Sequence, residues 1–355
     1  MFYREAGQFK ASYQADSRIF PIRQDQIGFV ALMAFLFLVV PFIANQYWLQ
    51  AVLIPVLIFG LAALGLNILT GYAGQLSLGS AAFMAVGAFG TYNFMLRIDG
   101  MPFLVAILLG GLCAAAVGIL FGLPSLRIKG FYLAVATLAA QFFIVWVLVK
   151  FGWFSNYSSS GVITAQRVNI LGIDFRSPEM KYLLTLTVVT VLALLAKNMV
   201  RSSTGRKWMA VRDMDVAAEV IGIRLMRTKL QAFAISSFYC GVAGALYAYM
   251  YLGTVEPEGF NLDLSFKILF MIIIGGVGSI MGSFIGAAFI VLLPVLLNVA
   301  FHGSIGAFVP ADLASNMELI IFGSLIIFFL IVEPHGLARL WQLAKEKLRL
   351  WPFPH

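Results

Sequence analysis

Few residues in this chain could make or break bonds. The three histidines, His302, His335 and His355, fall outside the apolar runs, and none is spaced to share a metal ion with another. Cys113 and Cys240 lie inside apolar runs, far apart, with no ligand or redox spacing. No Gly-x-x-x-x-Gly-Lys-Ser/Thr phosphate loop occurs; Ser203-Thr-Gly205-Arg-Lys207 lacks the first glycine. Gly74-Gln-Leu-Ser-Leu-Gly79 has the outward form of an ATPase signature but lies between apolar runs, a chance match. Lys267 is the clearest charge within a run, near enough to its end to snorkel to the interface. Proton-coupled carriers bury Asp, Glu or His in their spans, and none is found here. We therefore expect no catalytic residue, no metal site and no cofactor held by this chain.

What remains inside the apolar runs is neutral and polar: Asn67, Gln75, Ser77, Ser80, Asn93, Thr137, Gln141, Ser236, Ser237 and Ser279. Each could bond a neighbouring helix, worth about 0.6 kcal/mol on average in a bilayer, or face a cavity. Gln75, Ser77 and Ser279 rank first because they lie in two glycine-rich breaks. The first break runs Gly71-Tyr-Ala-Gly74-Gln-Leu-Ser-Leu-Gly79, and the second runs Gly275-Gly276-Val-Gly278-Ser-Ile-Met-Gly282-Ser-Phe-Ile-Gly286. Paired interrupted segments in two halves of a membrane chain point to a midmembrane pathway, while glycines also let helices pack closely. Both readings stand, and the pathway candidates are Gly71, Gly74, Gln75, Ser77, Gly79, Gly275, Gly278 and Ser279.

A further segment lies in the longest basic loop. Asp213-Met-Asp215-Val-Ala-Ala-Glu-Val-Ile-Gly222 is predicted to be a short helix, with Asp213 as N-cap, acidic residues in the first turn and Gly222 at the end. Val216, Ala217, Val220 and Ile221 form one apolar stripe beside Ala218. Isolated helices need about 12–15 residues, so this one wants a cover, either the membrane surface or a groove on a soluble partner.

The elements that must position these groups are membrane spans. Of 355 residues, 61% are hydrophobic and 11% charged, against about 25% charged in soluble domains. A span needs about 20 apolar residues. Ten candidates follow: Ile27–Ala44, Leu49–Leu69, Leu78–Leu96, Phe103–Leu123, Phe131–Val149, Tyr182–Ala196, Leu230–Leu252, Leu264–Gly278, Met281–Ala300 and Met317–Val332. The formal charge of +8 could suggest nucleic acid, but the cations cluster between apolar runs, where the positive-inside rule uses them. Residues 197–229 are the densest basic stretch, and the loop at 253–263 holds Glu256, Glu258 and Asp263 with no Lys or Arg. Ten crossings with both termini cytoplasmic put the basic segments inside and the acidic loop outside. The loop 150–181, with four cations, is then external and fits the charge rule poorly. The chain divides into a cytoplasmic segment 1–26, too long and acidic for a signal region, a membrane domain 27–332 with the loop 197–229, and a cytoplasmic tail 333–355.

Five segments carry a resemblance. Residues 65–80 (GLNILTGYAGQLSLGS), 122–138 (GLPSLRIKGFYLAVATL), 204–222 (TGRKWMAVRDMDVAAEVIG), 275–282 (GGVGSIMG) and Pro334-His-Gly-Leu337 resemble the LivM-type permeases of branched-chain amino acid ABC transporters, in order from about residue 50 to 340. The resemblance implies an all-α membrane subunit of a bacterial inner membrane, translocating branched-chain or related amino acids. It implies a second homologous permease, two cytoplasmic ATPase subunits that bind ATP and magnesium, and an external, periplasmic solute-binding protein. It also implies that Asp213, Asp215, Val216, Ala217, Ala218, Val220, Ile221 and Gly222 form the coupling helix that meets the ATPase. Two places depart from the family pattern: Val216 stands where many importer permeases have Glu, and Ser155-Asn-Tyr-Ser-Ser-Ser160-Gly replaces a Thr-Gly-Gly-rich stretch. The second departure leaves urea, amides and aromatic carboxylates as alternative solutes. A membrane scaffold without transport is the alternative of a different class.

Overall fold

The computed structural model of the chain describes residues 11–12, 23–125, 131–158, 162–166, 168–170, 173–302, 320–321, 323–324, 327–329, 331 and 336–350. The apolar runs fold as helices because lipid offers no partner to backbone N–H and C=O groups, and a helix satisfies them internally. In chain order these are α1 (Arg23–Ala34, continued through a π-turn to Ile43), α2 (Ile54–Asn67), α3 (Ser80–Arg97), α4 (Phe103–Ser125) and α5 (Phe131–Lys150). After them come α6 (Pro178–Arg201), α7 (Ser203–Asp213), α8 (Asp215–Val220), α9 (Leu225–Leu246), α10 (Leu262–Gly275), α11 (Ile280–His302) and α12 (Leu337–Leu350). π-helical turns extend α2 at both ends, over Trp48–Leu53 and Ile68–Tyr72, and extend α9 over Tyr247–Leu252.

Among the described residues, seven helices are long and apolar enough to cross a membrane. Two of the expected spans are not among them: α3 has 18 residues but carries Ser80, Thr91, Asn93 and Arg97, which make it less apolar, and α10 has only 14 residues. At 1.5 Å per residue α10 covers roughly 21 Å of a hydrocarbon core about 30 Å thick. Half of the expected span Met317–Val332 falls outside the described residues, as do most of residues 1–22 and all of the tail beyond Leu350.

The segments through α2 and α9 are the most enclosed, with 78% of their central residues buried, whereas the first span, Asp25–Ile43, has none. α9 crosses α3 and α4 at glycines: a Cβ at Gly87 would collide with the backbone of Gly241, and one at Gly244 with the backbone of Met84. Small residues at such crossings let backbones approach where lipid gives no hydrophobic drive.

The fold is not purely helical. Two antiparallel pairs of two-residue strands occur, β1 (Ile163–Thr164) with β4 (Thr254–Val255) and β2 (Asn169–Ile170) with β3 (Ile173–Asp174). The register Ile163↔Val255 fastens the loop 150–181 to the acidic loop after α9. Arg97, at the end of α3, donates to the Trp153 carbonyl at 2.8 Å and lies 3.8 Å over its ring. One end of the bundle therefore gathers the turn after α3, the loop 150–181 and residues 253–261. The other end carries α7, α8, the two glycine-rich breaks and the root of α12.

Candidate functional site

The two breaks, some 200 residues apart in sequence, meet in the structure. Asn67, the last residue of α2, joins them. Its amide nitrogen donates to the Ser279 carbonyl and to Ser283 Oγ, both at 2.9 Å, and its oxygen accepts from the Gly278 N–H at 2.8 Å. Ser279 Oγ in turn accepts from the Gly282 N–H at 3.0 Å and caps the start of α11. Gly71 lies against Gly278 so closely that a Cβ on it would strike the Gly278 nitrogen. Gly74 and Gly278 have φ of +68° and +80°, a region closed to most side chains.

Arg212 reaches into this junction from α7. Its Nη1 donates to the Gly71 carbonyl at 2.8 Å, and its stem packs on Gly74, where an added Cβ would stand 2.8 Å from Cγ. The same guanidinium pairs with Asp213 at 2.8 Å. Sequence reading used Arg212 only as a topological charge and missed this contact. Its one signal was its place in the 204–222 segment.

The first break continues into the start of α3, where side chains of other helices take over the free N–H groups of the first turn. Leu78 N–H donates to Thr137 Oγ1 at 2.9 Å, Ala81 N–H to Ser265 Oγ at 2.9 Å, and Ala82 N–H to Gln141 Oε1 at 2.7 Å. Gln141, near the middle of α5, also donates to the Phe260 carbonyl at 2.9 Å. The segment Glu256–Asn261 before the short α10, which contains a 3-10 turn over Pro257–Phe260, thus reaches into the bundle, and the carbonyl at the end of that turn finds a partner there.

The predicted pathway residues divide between these places. Gly71, Gly74, Gly278 and Ser279 belong to the Asn67–Arg212 junction. Ser77 and Gly79 lie beside α5, where a Cβ at Gly79 would stand 2.8 Å from the Thr137 carbonyl. Gly275 sits on the α10–α11 crossing against Gly282 and Gly286, a packing role. Gln75 is 3% exposed, yet neither atom of its amide has a hydrogen-bond partner, and Ser80 Oγ is likewise buried and unpartnered.

The short helix in the basic loop is α8, and its bounds correct the expectation. Asp213 is not its N-cap. It closes α7, and Met214 stands between the two helices with no side-chain cap. The break falls there because Met214 is extended, with φ −158° and ψ 96°. Asp215 lies in the first turn as expected. Gly222 ends the helix at φ +88°, with Gly222 N–H bonded to the Glu219 carbonyl and Ile223 N–H to the Ala218 carbonyl, the paired bonds of a left-handed glycine stop. Ala218 packs inward, while Ala217 is exposed and Val216, Val220 and Ile221 are 65, 83 and 73% exposed. By contrast α7 is anchored by Trp208, which is fully buried.

At the opposite end, a cavity of about 280 Å³ opens between the π-turn before α2, the start of α6 and the π-turn after α9. Gln50, Ala51, Lys181 and the residues from Met250 to Gly253 line it. Among the described residues there is no group of three or more His, Cys, Asp or Glu that could hold a metal ion.

This geometry defines a multi-pass helical membrane protein whose two interrupted segments are tied to a loop outside the bundle. The chain belongs to the family described as the branched-chain amino acid transport system / permease component, whose model matches residues 48–330. It is 29% identical over 304 residues to the high-affinity branched-chain amino acid transport system permease protein LivM of Escherichia coli, covering 79% of this chain and 68% of that one. The probable branched-chain amino acid transport permease protein LivM of Methanocaldococcus jannaschii is 22% identical over 79% of this chain and 90% of its own. The autoinducer 2 import system permease protein LsrC of an Enterobacter species is 28% identical over 55% of this chain and 54% of its own. No solved structure gives a significant match.

Proposed function

We propose that this chain is the membrane-spanning permease of an ATP-driven importer, passing branched-chain or related amino acids delivered by an external, periplasmic solute-binding protein. Its setting is the inner membrane, with about ten crossings and both termini cytoplasmic. A second homologous permease completes the channel, and two cytoplasmic ATPase subunits hold ATP and magnesium. The names of its relatives support the solute class and the direction, since one group carries branched-chain amino acids and another imports autoinducer 2.

The observation that carries this reading is the stretch Arg212–Gly222. It joins an uncovered apolar helix, suited to an ATPase groove, to a guanidinium bonded to the first glycine-rich break. Movement of α8 with its ATPase partner pulls on Arg212, and through Gly71 and Gly74 on the junction with Gly278. Sliding is cheap there because glycines at positive φ have no side chain to carry. The unpartnered amide of Gln75 and the hydroxyl of Ser80 are the groups best placed to greet a passing polar solute, because a buried unmet amide costs about 1–3 kcal/mol. The cavity at Lys181 and Gln50 is a landing place for a solute carboxylate on the other side.

The test is ATPase activity of the reconstituted complex with its binding protein and a panel of solutes. Stimulation by leucine, isoleucine or valine is the expected outcome. Stimulation only by urea, an amide or an aromatic carboxylate keeps the mechanism and replaces the solute. If no ATPase associates with the chain, the importer reading fails and a scaffold remains.

A further inference from the structure

The last helix, α12 (Leu337–Leu350), carries a surface that the transport reading leaves unused. Leu337, Leu340, Trp341 and Ala344 recur at i, i+3, i+4 and i+7, which is one helical face. Its root is fixed: Ala338 is buried, and a Cβ on Gly336 would stand 2.6 Å from the Gly276 nitrogen. Beyond the root, Leu340 and Trp341 are 45 and 47% exposed. Val277 and Met281, just past Gly276, are also exposed, so an apolar margin adjoins this face. The helix sequence contains Arg339, Lys345, Lys347 and Arg349 against the single carboxylate of Glu346.

We propose that α12 lies flat on the membrane, binding anionic lipid headgroups with its cations and seating Leu340 and Trp341 at the acyl boundary. Three observations favour lipid over protein. The helix begins six residues after Ile331, an exposed apolar position in a helix, and so is tethered within about 20 Å of the bilayer. A tryptophan on the apolar face is characteristic of the membrane–water interface. The cation excess complements an anionic surface, and apolar burial with basic attraction is the pair of signals that holds interfacial helices. Gly276, which meets the root, stands two residues from Gly278 in the Arg212 junction, so α12 shares the basic end of the bundle with α7 and α8.

Hydrogen exchange followed by mass spectrometry tests this on the full chain in nanodiscs of phosphatidylglycerol or phosphatidylcholine. Amides of 340–350 should exchange roughly tenfold more slowly in the anionic lipid, and the difference should shrink in high salt as surface charge is screened. The double variant Leu340→Ser/Trp341→Ser should lose the protection, and Lys347→Glu should weaken it. Exchange within α2 serves as the control that each variant has folded. Equal exchange in both lipids overturns the proposal. So does protection that arises only on adding ATPase subunits, whatever the lipid, for α12 would then be a protein dock.

Discussion

Arg212 carries more of the argument than any other single residue, and its two bonds differ in weight. The pair with Asp213 is solvent-exposed and worth about 0–1 kcal/mol. The bond to the Gly71 carbonyl is partly buried, and a charged donor in such a place contributes about 1.5–3 kcal/mol. Losing it would shift the balance between two arrangements of the break by roughly 10- to 100-fold, at about 1.4 kcal/mol per tenfold. Arg212→Ala should therefore lower solute uptake into proteoliposomes about tenfold while the ATPase subunits still copurify, since α8 is untouched. Arg212→Lys should recover part of the loss, having a charge but no fork. Unchanged uptake in the alanine variant would reduce Arg212 to a surface ion pair. None of this was readable from sequence, because residue 212 meets residue 71 only through the fold. Asn67 was visible as a polar group in a span, but its role in joining both breaks depends on the same long-range meeting.

At the scale of elements, what the sequence carried was periodicity and punctuation. Apolar runs located the helices, and Gly222 marked the end of α8 because only a residue free of Cβ strain turns a helix there. What it could not carry was depth. The run from Leu264 to Ala300 divides at its glycines as expected, into a 14-residue α10 and the longer α11, but nothing in its apolar character says what completes the short α10. The missing length of α10 is made up by the segment Glu256–Asn261, held by Gln141 from α5. The start of α8 was misread for a related reason: Asp213 has a capping side chain, but α7 runs through it. The exposed stripe of α8 supports a test that separates docking from stability. Val220→Asp and Ile221→Asp change side chains that touch little within the chain, so melting of the purified protein should stay within about 0.5 kcal/mol of the parent. Copurification of the ATPase subunits should collapse, because a charge buried unpaired in a protein groove costs several kcal/mol. Retained association would move the dock away from α8.

For the whole molecule the question is which end faces the cytoplasm. Charge counting gave a consistent answer with one exception, the basic loop 150–181. The structure places that loop by a contact independent of charge, since Ile163 pairs with Val255 beside the acidic segment. Arg97 of α3 also holds the loop through the Trp153 carbonyl, and Lys181, one of the loop's cations, lines the cavity at the same end. We therefore expect the two loops on one side of the membrane, and α7 and α8 on the other. Impermeant thiol labelling of intact cells checks this in a Cys113→Ser background, Cys240 being buried. Val162→Cys and Glu258→Cys should react from outside, and Met214→Cys, exposed at the α7–α8 joint, only after permeabilisation. The reverse pattern would keep the fold and invert the orientation, turning the proposed importer's coupling face outward, where no ATP is available. Labelling of Val162→Cys without Glu258→Cys would instead contradict the β1–β4 pairing, and labelling of Val162→Cys together with Met214→Cys from outside would contradict the arrangement that sets the two ends of the bundle apart.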